Sequence, residues 1–363
     1  MAKQRFYSLK NILSKKAVYN MIFGERSSGK TYAVLKYGIE KYHETGEQMA
    51  ILRRYREDFT GKRGIVLFDS LVNNNEIVRI TGGLYTGVYY FGSKWYLCTY
   101  DEKGNRYQDS TPFAYGFAIS AMEHDKSTSY PKITTILFDE FLSRQGYLAD
   151  EFILFMNTLS TIIRHRKDVT IFMLGNTVNK YCPYFAEMGL NHIKQMKPGD
   201  IDVYRYGTSE LSVAVEYTAP SRRGKDSDYY FAFDNPKLQM ITGGAWEIDI
   251  YPHCPIKYKP KDIVFTYFIQ FSGDLLQCEI VKYKYGLFTF IHRKTTQLKN
   301  PNNDLVYSTE FNPNGNWSRN ITKPRNEIEK RVAEFFIKDK VFYQDNEVGE
   351  IVRNYLLWCT KRQ

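Results

Sequence analysis

Apolar segments in roughly the first 200 residues alternate between the short, unbroken runs of buried strands and the spaced pattern of amphipathic helices. The run at 18–23 leads into a glycine-containing loop, and a helical pattern then extends from Lys30 to Thr45 and ends at Gly46. Because uninterrupted apolar strands are typical of parallel sheets covered on both faces by helices, this part predicts an α/β fold with a mainly parallel central sheet. The other predicted elements are strands at 49–55, 133–138 and 169–174, an aromatic hairpin over 84–100 and a helix over 151–164.

The pattern of the chain changes beyond this region. Residues 219–228 are polar and basic, as in a connector or an exposed loop. We therefore predict a first domain over 1–205, a linker region over 206–249 and a C-terminal α+β domain over 250–363. The C-terminal elements are strands at 263–270, 275–284 and 287–293, separated by tight turns, and helices at 326–338 and 347–359.

The chain has 363 residues, which is more than one hydrophobic core usually serves, so two domains are expected. Lysine and arginine outnumber aspartate and glutamate by 50 to 40, and the net charge of +10 favours a polyanionic partner, although many ordinary proteins share a mild basic excess. The five cysteines include no CxxC pair, which argues against a zinc site or a disulfide framework. No stretch approaches the ~20 apolar residues of a membrane span, so no membrane partner is expected.

The most specific motif follows the first predicted strand and fits the pattern GxxxxGK[ST]. Its glycines let the backbone wrap around phosphate groups with several N–H groups pointing inward, and the following helix adds its positive N-terminal end. Lys30 would neutralise the β- and γ-phosphates in binding and catalysis, and the Thr31 hydroxyl would bind Mg²⁺. A coincidental glycine-rich turn is the alternative, and the flanking strand and helix argue against it. The predicted nucleotide-binding residues are Gly24, Glu25, Arg26, Ser27, Ser28, Gly29, Lys30 and Thr31.

Two acidic residues follow the strongly apolar strand at 133–138. Asp139 can hold Mg²⁺, and Glu140 can orient and polarise the attacking water as general base. Two solvated acids after a buried strand would be the simpler interpretation if the motif stood alone. Beside an intact GxxxxGK[ST] motif, which is called the P-loop, the acidic pair indicates nucleotide hydrolysis, with ATP and Mg²⁺ as the expected cofactors. A glutamate directly after the aspartate further indicates the additional-strand class of P-loop ATPases.

Three other polar positions have both a functional and an ordinary interpretation. Asn176 ends the strand at 169–174 and is placed to sense the γ-phosphate, but an asparagine there is nearly as well explained as a cap or turn residue. Arg164 and Arg166 lie at the end of the helix over 151–164, where positive charge suits the helix dipole. Either arginine could instead reach into a neighbouring subunit as an arginine finger.

Basic residues cluster at and just beyond the end of the strand at 49–55. Such a cluster could hold a DNA backbone, and an ordinary solvated basic face explains it about equally well. A lysine in the loop over 123–131 is a weaker candidate for the same role. The DNA-binding candidates are Arg53, Arg54, Arg56, Lys62 and Lys126.

Together with their flanking residues, the motifs described above resemble those of a known family. The sequence resembles the DNA-packaging (encapsidation) ATPases of phi29-type podophages, and the resemblance extends through most of the chain. P-loop and Asp-Glu motifs are shared by a vast superfamily, so the combination with the paired arginines and the R-x-R stretch is what narrows the match. The resemblance is carried by RFYSLKNILSKKAVYNMIFGERSSGKTYA, GEQMAILRRY, SYPKITTILFDEF, IIRHRKDV and LGNTVNKYCPYF.

The resemblance implies a homomeric ring, typically of five subunits, in the host-cell cytoplasm and at the portal vertex of an empty procapsid. ATP hydrolysis around that ring would move double-stranded viral DNA inward, with a phage structural RNA as scaffold. By position, the resemblance assigns nucleotide and Mg²⁺ binding to Lys30 and Thr31, base catalysis to Glu140 and the trans-acting finger to Arg164. Tyr7, which precedes the P-loop, is a candidate adenine contact.

The C-terminal strands are similar in pattern to the RNase-H-like nuclease domain of larger terminases. Such nucleases hold two metal ions with several inward-facing carboxylates, whereas the three strands here contain only Glu279, with Asp274 placed in a turn. We therefore expect a nuclease-dead domain that contacts nucleic acid or the portal. The alternatives are a cellular-type DNA pump or helicase, a non-hydrolysing nucleotide switch, which the intact Glu140 argues against, and a DNA-cutting terminase, which the missing carboxylates argue against.

Overall fold

The structure, a computed structural model, divides the chain into two compact units, Met1–Glu247 and Ile248–Gln363. Residues 220–250, which make up most of the predicted linker region, lie outside the described residues. The described residues are 7–26, 28–124, 129–143, 147–148, 150–176, 182–193, 195–219, 251–254, 256–271, 273–284 and 286–360.

The first unit is built on one mixed sheet with a parallel centre. Its strands lie in the order β3-β4-β6-β2-β7-β8-β1-β10-β9, and β5 pairs with β4 outside this path. From β6 to β10 all neighbours are parallel, while the strands at both edges are antiparallel, which confirms the predicted parallel α/β fold. The strands are β1 (Tyr19–Gly24), β2 (Gln48–Arg53), β3 (Gly87–Phe91), β4 (Lys94–Tyr100), β5 (Arg106–Gln108), β6 (Ala114–Ala118), β7 (Ile133–Asp139), β8 (Thr170–Asn176), β9 (Ile201–Arg205) and β10 (Ser212–Tyr217).

Helices cover both faces of this sheet because its central strands are apolar on both sides, and each face forms its own hydrophobic core. One core includes Phe155 and Leu159 of the helix over 151–163, and the other includes Val34 and Ile39 of the helix over 30–45. The longer helix ends at Gly46, whose φ of 74° suits a residue without a side chain. The helices are α1 (Lys10–Leu13), α2 (Lys30–Thr45), α3 (Lys62–Val66), α4 (Asp69–Asn73), α5 (Glu76–Ile80), α6 (Glu151–Ile163) and α7 (Pro183–Glu187).

Strand β8 lies between β1 and β7, and this is the extra strand that separates the P-loop strand from the acidic strand in the additional-strand class. Since β1, β2, β7 and β8 are parallel, their carboxyl ends meet at one edge of the sheet, where ligands of α/β proteins bind. Strand β10, which lies within the predicted linker region, pairs with β1. The sheet of the first unit therefore continues beyond residue 205.

The second unit contains a six-stranded sheet in the order β15-β14-β11-β12-β13-β16. Strands β11, β12 and β13 form the predicted antiparallel meander, and β14 and β16 add to its two sides as parallel strands. Asp274, expected in a turn, is the first residue of β12. The elements are β11 (Ile263–Phe271), β12 (Asp274–Tyr283), β13 (Gly286–Arg293), β14 (Val306–Ser308), β15 (Trp317–Ser318), α8 (Glu327–Ile337), β16 (Val341–Tyr343) and α9 (Asn346–Thr360).

None of the helices among the described residues is both long enough and apolar enough to cross a membrane.

Candidate active site

The P-loop connects the buried strand β1 to helix α2 through two glycines with positive φ. Gly29 caps α2 with a φ of 91°, and Gly24 ends β1 with a φ of 151°. A side chain at Gly24 would also collide with the hydroxyl of Thr218, which follows β10. Both positions therefore require glycine, and the loop brings its backbone close to the first turn of α2. Ser27 lies outside the described residues.

Lys30 is buried at the start of α2, and its ammonium group is held by the loop itself. Its Nζ donates hydrogen bonds to the Glu25 carbonyl oxygen at 2.6 Å and to Ser28 Oγ at 3.2 Å. Burial lowers the pKa of Lys30 from 10.5 to about 8, although the negative charges of Asp139 and Glu25 act in the opposite direction. A phosphate group bound in the loop would add negative charge beside Nζ and favour its protonated form.

Thr31 and Asp139 lie together although they come from different elements. The Thr31 hydroxyl at the start of α2 donates a hydrogen bond of 3.1 Å to Asp139 Oδ1 at the end of β7. The other carboxylate oxygen, Oδ2, accepts a hydrogen bond of 2.6 Å from Arg53 at the end of β2. Hydroxyl and carboxylate oxygens are the ligands that Mg²⁺ prefers, so the pair fits the metal-binding role predicted for it.

Glu140 turns away from β7 in a left-handed conformation with a φ of 62°. A glutamate in this region carries backbone strain, which proteins tend to keep at functional positions. Its side chain is 66% exposed, and Oε2 lies 3.3 Å from an Arg53 guanidinium nitrogen. Arg53 therefore contacts both acidic residues, and we find it in the site rather than on an open DNA-binding face.

Arg54, the residue after Arg53, holds the backbone of the same turn through hydrogen bonds. It is buried, donates hydrogen bonds of 2.7 and 2.8 Å to the two carboxylate oxygens of Glu151, and donates to the backbone carbonyls of Glu140 and Phe141 at 3.1 and 2.9 Å. Tyr184 donates a further hydrogen bond to Glu151. The prediction of Arg54 as a DNA contact conflicts with this burial, because its donors are committed inside the protein. Neither Glu151 nor this network was foreseen from the sequence.

A cavity of ≈ 290 Å³ opens between these groups. Arg26 from the P-loop, Arg53, the two acidic residues and Asn176 all line it. Asn176 is the last residue of β8 and is in register with Gly24 of β1, so the predicted sensor lies directly beside the start of the P-loop. The cavity thus has cationic, acidic and amide groups around one space at the sheet edge.

The two candidate finger arginines have different surroundings. Arg164 is exposed and follows α6 with a φ of 54°. Arg166 is partly buried, and its guanidinium donates to the carbonyl oxygens of Tyr130, Pro131 and Ile133. Arg166 thus ties the end of α6 to the start of β7.

Four other candidates remain as predictions. Arg56 and Lys62 are exposed beyond β2, as a DNA contact requires. Lys126 lies outside the described residues. Tyr7 is attached to the P-loop by a backbone hydrogen bond of 3.1 Å to the Ser28 carbonyl, and its hydroxyl donates to Glu216 Oε2 at 2.5 Å.

The strand order, the loop around Lys30 and the acidic pair at the end of β7 define a P-loop NTPase of the additional-strand class. The profile of the family described as "Podovirus DNA encapsidation protein (Gp16)" matches residues 1–82 and 98–216, more than half of the chain. The chain belongs to this family. The predicted family and the predicted function, a phage DNA-packaging ATPase, are thereby confirmed.

Individual relatives agree with the family assignment. The chain is 28% identical over 283 residues to the "DNA packaging protein" of Bacillus phage phi29, covering 76% of each chain. It is 27% identical over 266 residues to the protein of the same description from Bacillus phage B103, covering 72% of this chain and 74% of the relative.

Among solved structures, two full-length matches show the same fold. The Phi-28 gp11 DNA packaging motor matches with a TM-score of 0.60 at 18% identity, covering 99% of both chains. The bacteriophage Phi-29 viral genome packaging motor assembly matches with a TM-score of 0.57 at 20% identity, covering 98% of this chain and 99% of that chain.

Proposed function

We propose that this protein hydrolyses ATP with Mg²⁺ and uses the energy to move double-stranded viral DNA into a procapsid at its portal vertex. The observation that carries the proposal is the meeting of Lys30, the Thr31–Asp139 pair and Glu140 at one edge of the sheet in a member of the encapsidation family. Relatives described as DNA packaging proteins, and neighbours described as packaging motors, support DNA as the polymer and the procapsid as its destination.

Each residue of the site has a distinct part in this reaction. Thr31 Oγ1 and the carboxylate of Asp139 would hold Mg²⁺, which would supply positive charge to the phosphates. The Lys30 ammonium group would add positive charge to the phosphates bound in the loop. The exposed carboxylate of Glu140 accepts a proton from the attacking water, and the strained turn below it is held by Arg54.

Arg53 contacts both members of the acidic pair. In the described conformation its guanidinium bridges Asp139 and Glu140. We therefore assign Arg53 a positioning role in hydrolysis in place of the predicted DNA contact.

Arg164 is the better candidate for a finger that acts in a neighbouring subunit. It is exposed at a helix end, whereas Arg166 is partly buried and donates to backbone carbonyls of its own subunit. A finger in trans requires a ring of identical subunits, and we propose a ring, typically of five, assembled on the portal with a structural RNA. Arg56 and Lys62 are then the described candidates for contact with the DNA backbone.

For the second unit we propose an RNase-H-like domain without nuclease activity. Its strand order, with an antiparallel meander extended by parallel β14, is that expected of such a domain. The carboxylate of Glu279 accepts hydrogen bonds from Tyr258 and Gln277 and contacts His292, and Asp274 pairs with Arg293. Both carboxylates are thus engaged with protein groups rather than turned toward a shared metal site.

Steady-state ATP hydrolysis with procapsids, structural RNA and double-stranded DNA tests the motor. Wild type should turn over ATP faster with DNA, and Glu140→Gln should bind ATP without turnover. Arg164→Ala should bind ATP but not hydrolyse it, while Lys167→Ala, which removes an exposed cation from the same loop, should remain active. Mixing Arg164→Ala with Glu140→Gln subunits should restore part of the activity. Failure to recover activity at every mixing ratio would refute the finger in trans, and DNA-independent turnover would refute the motor.

A further inference from the structure

A wide groove lies on the second unit, and the described residues that line it all belong to that unit. It has a volume of ≈ 1020 Å³ and runs between helix α8 and the end of the β12–β13 hairpin. This volume is at the upper end of what small-molecule sites enclose. A groove of this volume can also accommodate a segment of polypeptide chain.

The sheet side of the groove is an apolar face that continues past its covered part. Cys278, Ile280 and Lys282 alternate onto this face of β12, and the first two are buried while Lys282 is exposed. Leu287 of β13 stands opposite Lys282 and is 42% exposed, and Val264 of β11 is 53% exposed at the other side. Apolar side chains on a sheet face normally pack under a second layer, so this face lacks part of its cover.

The side of the groove that is formed by helix α8 is also apolar. Ile328, Val332 and Phe335 of α8 line the groove, and Ile328 is 56% exposed although it faces this apolar space. The spacing of 328, 332 and 335 places the three side chains along one stripe of the helix. Two apolar walls of mainly aliphatic side chains therefore face each other across the groove.

The rim of the groove is strongly basic. Among the described residues that line the groove, the one acidic residue is Glu334, and it is paired with Lys338 at 2.6 Å. None of the other four cations has an ion-pair partner among the described residues. These are Lys282, Lys284, Arg331 and Lys340.

We propose that this groove binds an amphipathic helix of a partner protein, with aliphatic side chains on one face and acidic side chains beside them. An α-helix is about 10–12 Å wide with its side chains and presents an apolar stripe at i, i+3, i+4 and i+7, which matches two apolar walls under a charged rim. Nucleic acid explains the rim but only a small part of the walls, because phosphates gain nothing from aliphatic groups and bases would stack only on Phe265 and Phe335, two of the seven apolar residues that line the groove. The inference concerns a surface outside the catalytic site and goes beyond the proposed packaging function.

Fluorescence anisotropy with the full chain tests this proposal. The probe is a fluorescein-labelled helical peptide with leucines at i, i+3, i+4 and i+7 and glutamates between them, and a scrambled peptide of the same composition is its control. The acidic helix should bind saturably, at least about tenfold tighter than the scrambled peptide, and more weakly as salt rises. Equal binding of both peptides, or no binding, would overturn the proposal.

Variants place the binding in the groove. Leu287→Asp and Arg331→Glu should each weaken binding by about tenfold or more, because one puts a charge on the apolar wall and the other reverses the rim. Matched changes on α8 outside the groove, Ile337→Asp and Lys330→Glu, should leave it unchanged; both residues are exposed and neither lines the groove. Circular dichroism and ATP turnover report whether each variant is folded.

A charge-reversal pair makes the test independent of folding losses. The Lys282→Glu variant should lose the acidic peptide and gain a peptide in which lysines replace the glutamates. A labelled RNA duplex and a single strand are tested on the same variants. If RNA binds and is lost in Leu287→Asp and Arg331→Glu while the peptide does not bind, the groove is a nucleic-acid site and the proposal is wrong.

Discussion

Lys30 allows a quantitative test of how the P-loop binds nucleotide. Burial holds its pKa at about 8 in the described structure, against 10.5 for an ordinary lysine. Bound phosphates favour the protonated form, so ATP binding above pH 8 must also take up a proton. The affinity is therefore highest well below pH 8 and is lost progressively as the pH rises through that value.

The size of the effect follows from that pKa. At pH 7.5 about three-quarters of the molecules carry a charged Lys30, and at pH 9.5 only about 3% do, so the dissociation constant of ATP should rise about 25-fold, or about 1.9 kcal/mol. An unperturbed lysine with a pKa of 10.5 would remain mostly protonated throughout this range. The expected change would then be small.

Titration of a fluorescent ATP analogue with Mg²⁺ measures this constant, in the Glu140→Gln background so that turnover does not interfere. Calorimetry in buffers of different ionisation enthalpy should show uptake of nearly one proton at pH 9.5 and much less at pH 7.5. Lys30→Arg supplies the control, because a guanidinium stays charged throughout and removes the titration. A wild-type affinity that changes less than about threefold would refute the lowered pKa of Lys30.

Three substitutions test the supports of the site by denaturant unfolding. Arg166→Ala should destabilise the protein by about 2 kcal/mol because hydrogen bonds to four backbone carbonyls are lost, whereas Arg164→Ala, a change at an exposed position, should cost less than about 0.5 kcal/mol; equal losses would contradict their different roles. Arg54→Ala should cost about 3–5 kcal/mol because it leaves a buried carboxylate on α6 unpaired, and a loss below 1 kcal/mol would contradict this account. Gly24→Ala should cost about 2 kcal/mol or more, while Gly46→Ala, also at positive φ but with no atom within 4 Å of the added carbon, should cost about 1 kcal/mol; similar values would show that the close contact is unimportant.

The parts of the site that could be predicted from the sequence lie within short, continuous motifs. The strand, the loop and the helix of the P-loop follow one another within 19–45, and glycine spacing alone defines how the backbone must turn. Asp139 and Glu140 could be placed for the same reason, because a buried strand ends directly before them. Such motifs contain their own structural context.

The remainder depends on contacts between distant parts of the chain. Glu151 lies 97 residues from Arg54, and its only sign in the sequence is an acidic residue at the start of an otherwise apolar helix. Strand β10 joins the first sheet by pairing with β1, almost 200 residues earlier in the chain, so a boundary at 205 followed the local change in composition rather than the pairing. Positive charge in the sequence likewise did not distinguish buried arginines from exposed ones.

The paired arginines at the end of β2 show how two adjacent residues can hold different parts of one site. Arg53 is the last residue of β2 and Arg54 follows it, and their guanidinium groups reach different atoms around Glu140. Arg53 contacts the carboxylates of Asp139 and Glu140, and the buried Arg54 donates to the backbone carbonyls of Glu140 and Phe141. The strained turn that presents the proposed general base is therefore held by two adjacent guanidinium groups. An arginine pair at this strand end is explained by the architecture of the hydrolytic site, and DNA contacts must be sought among the exposed cations beyond it.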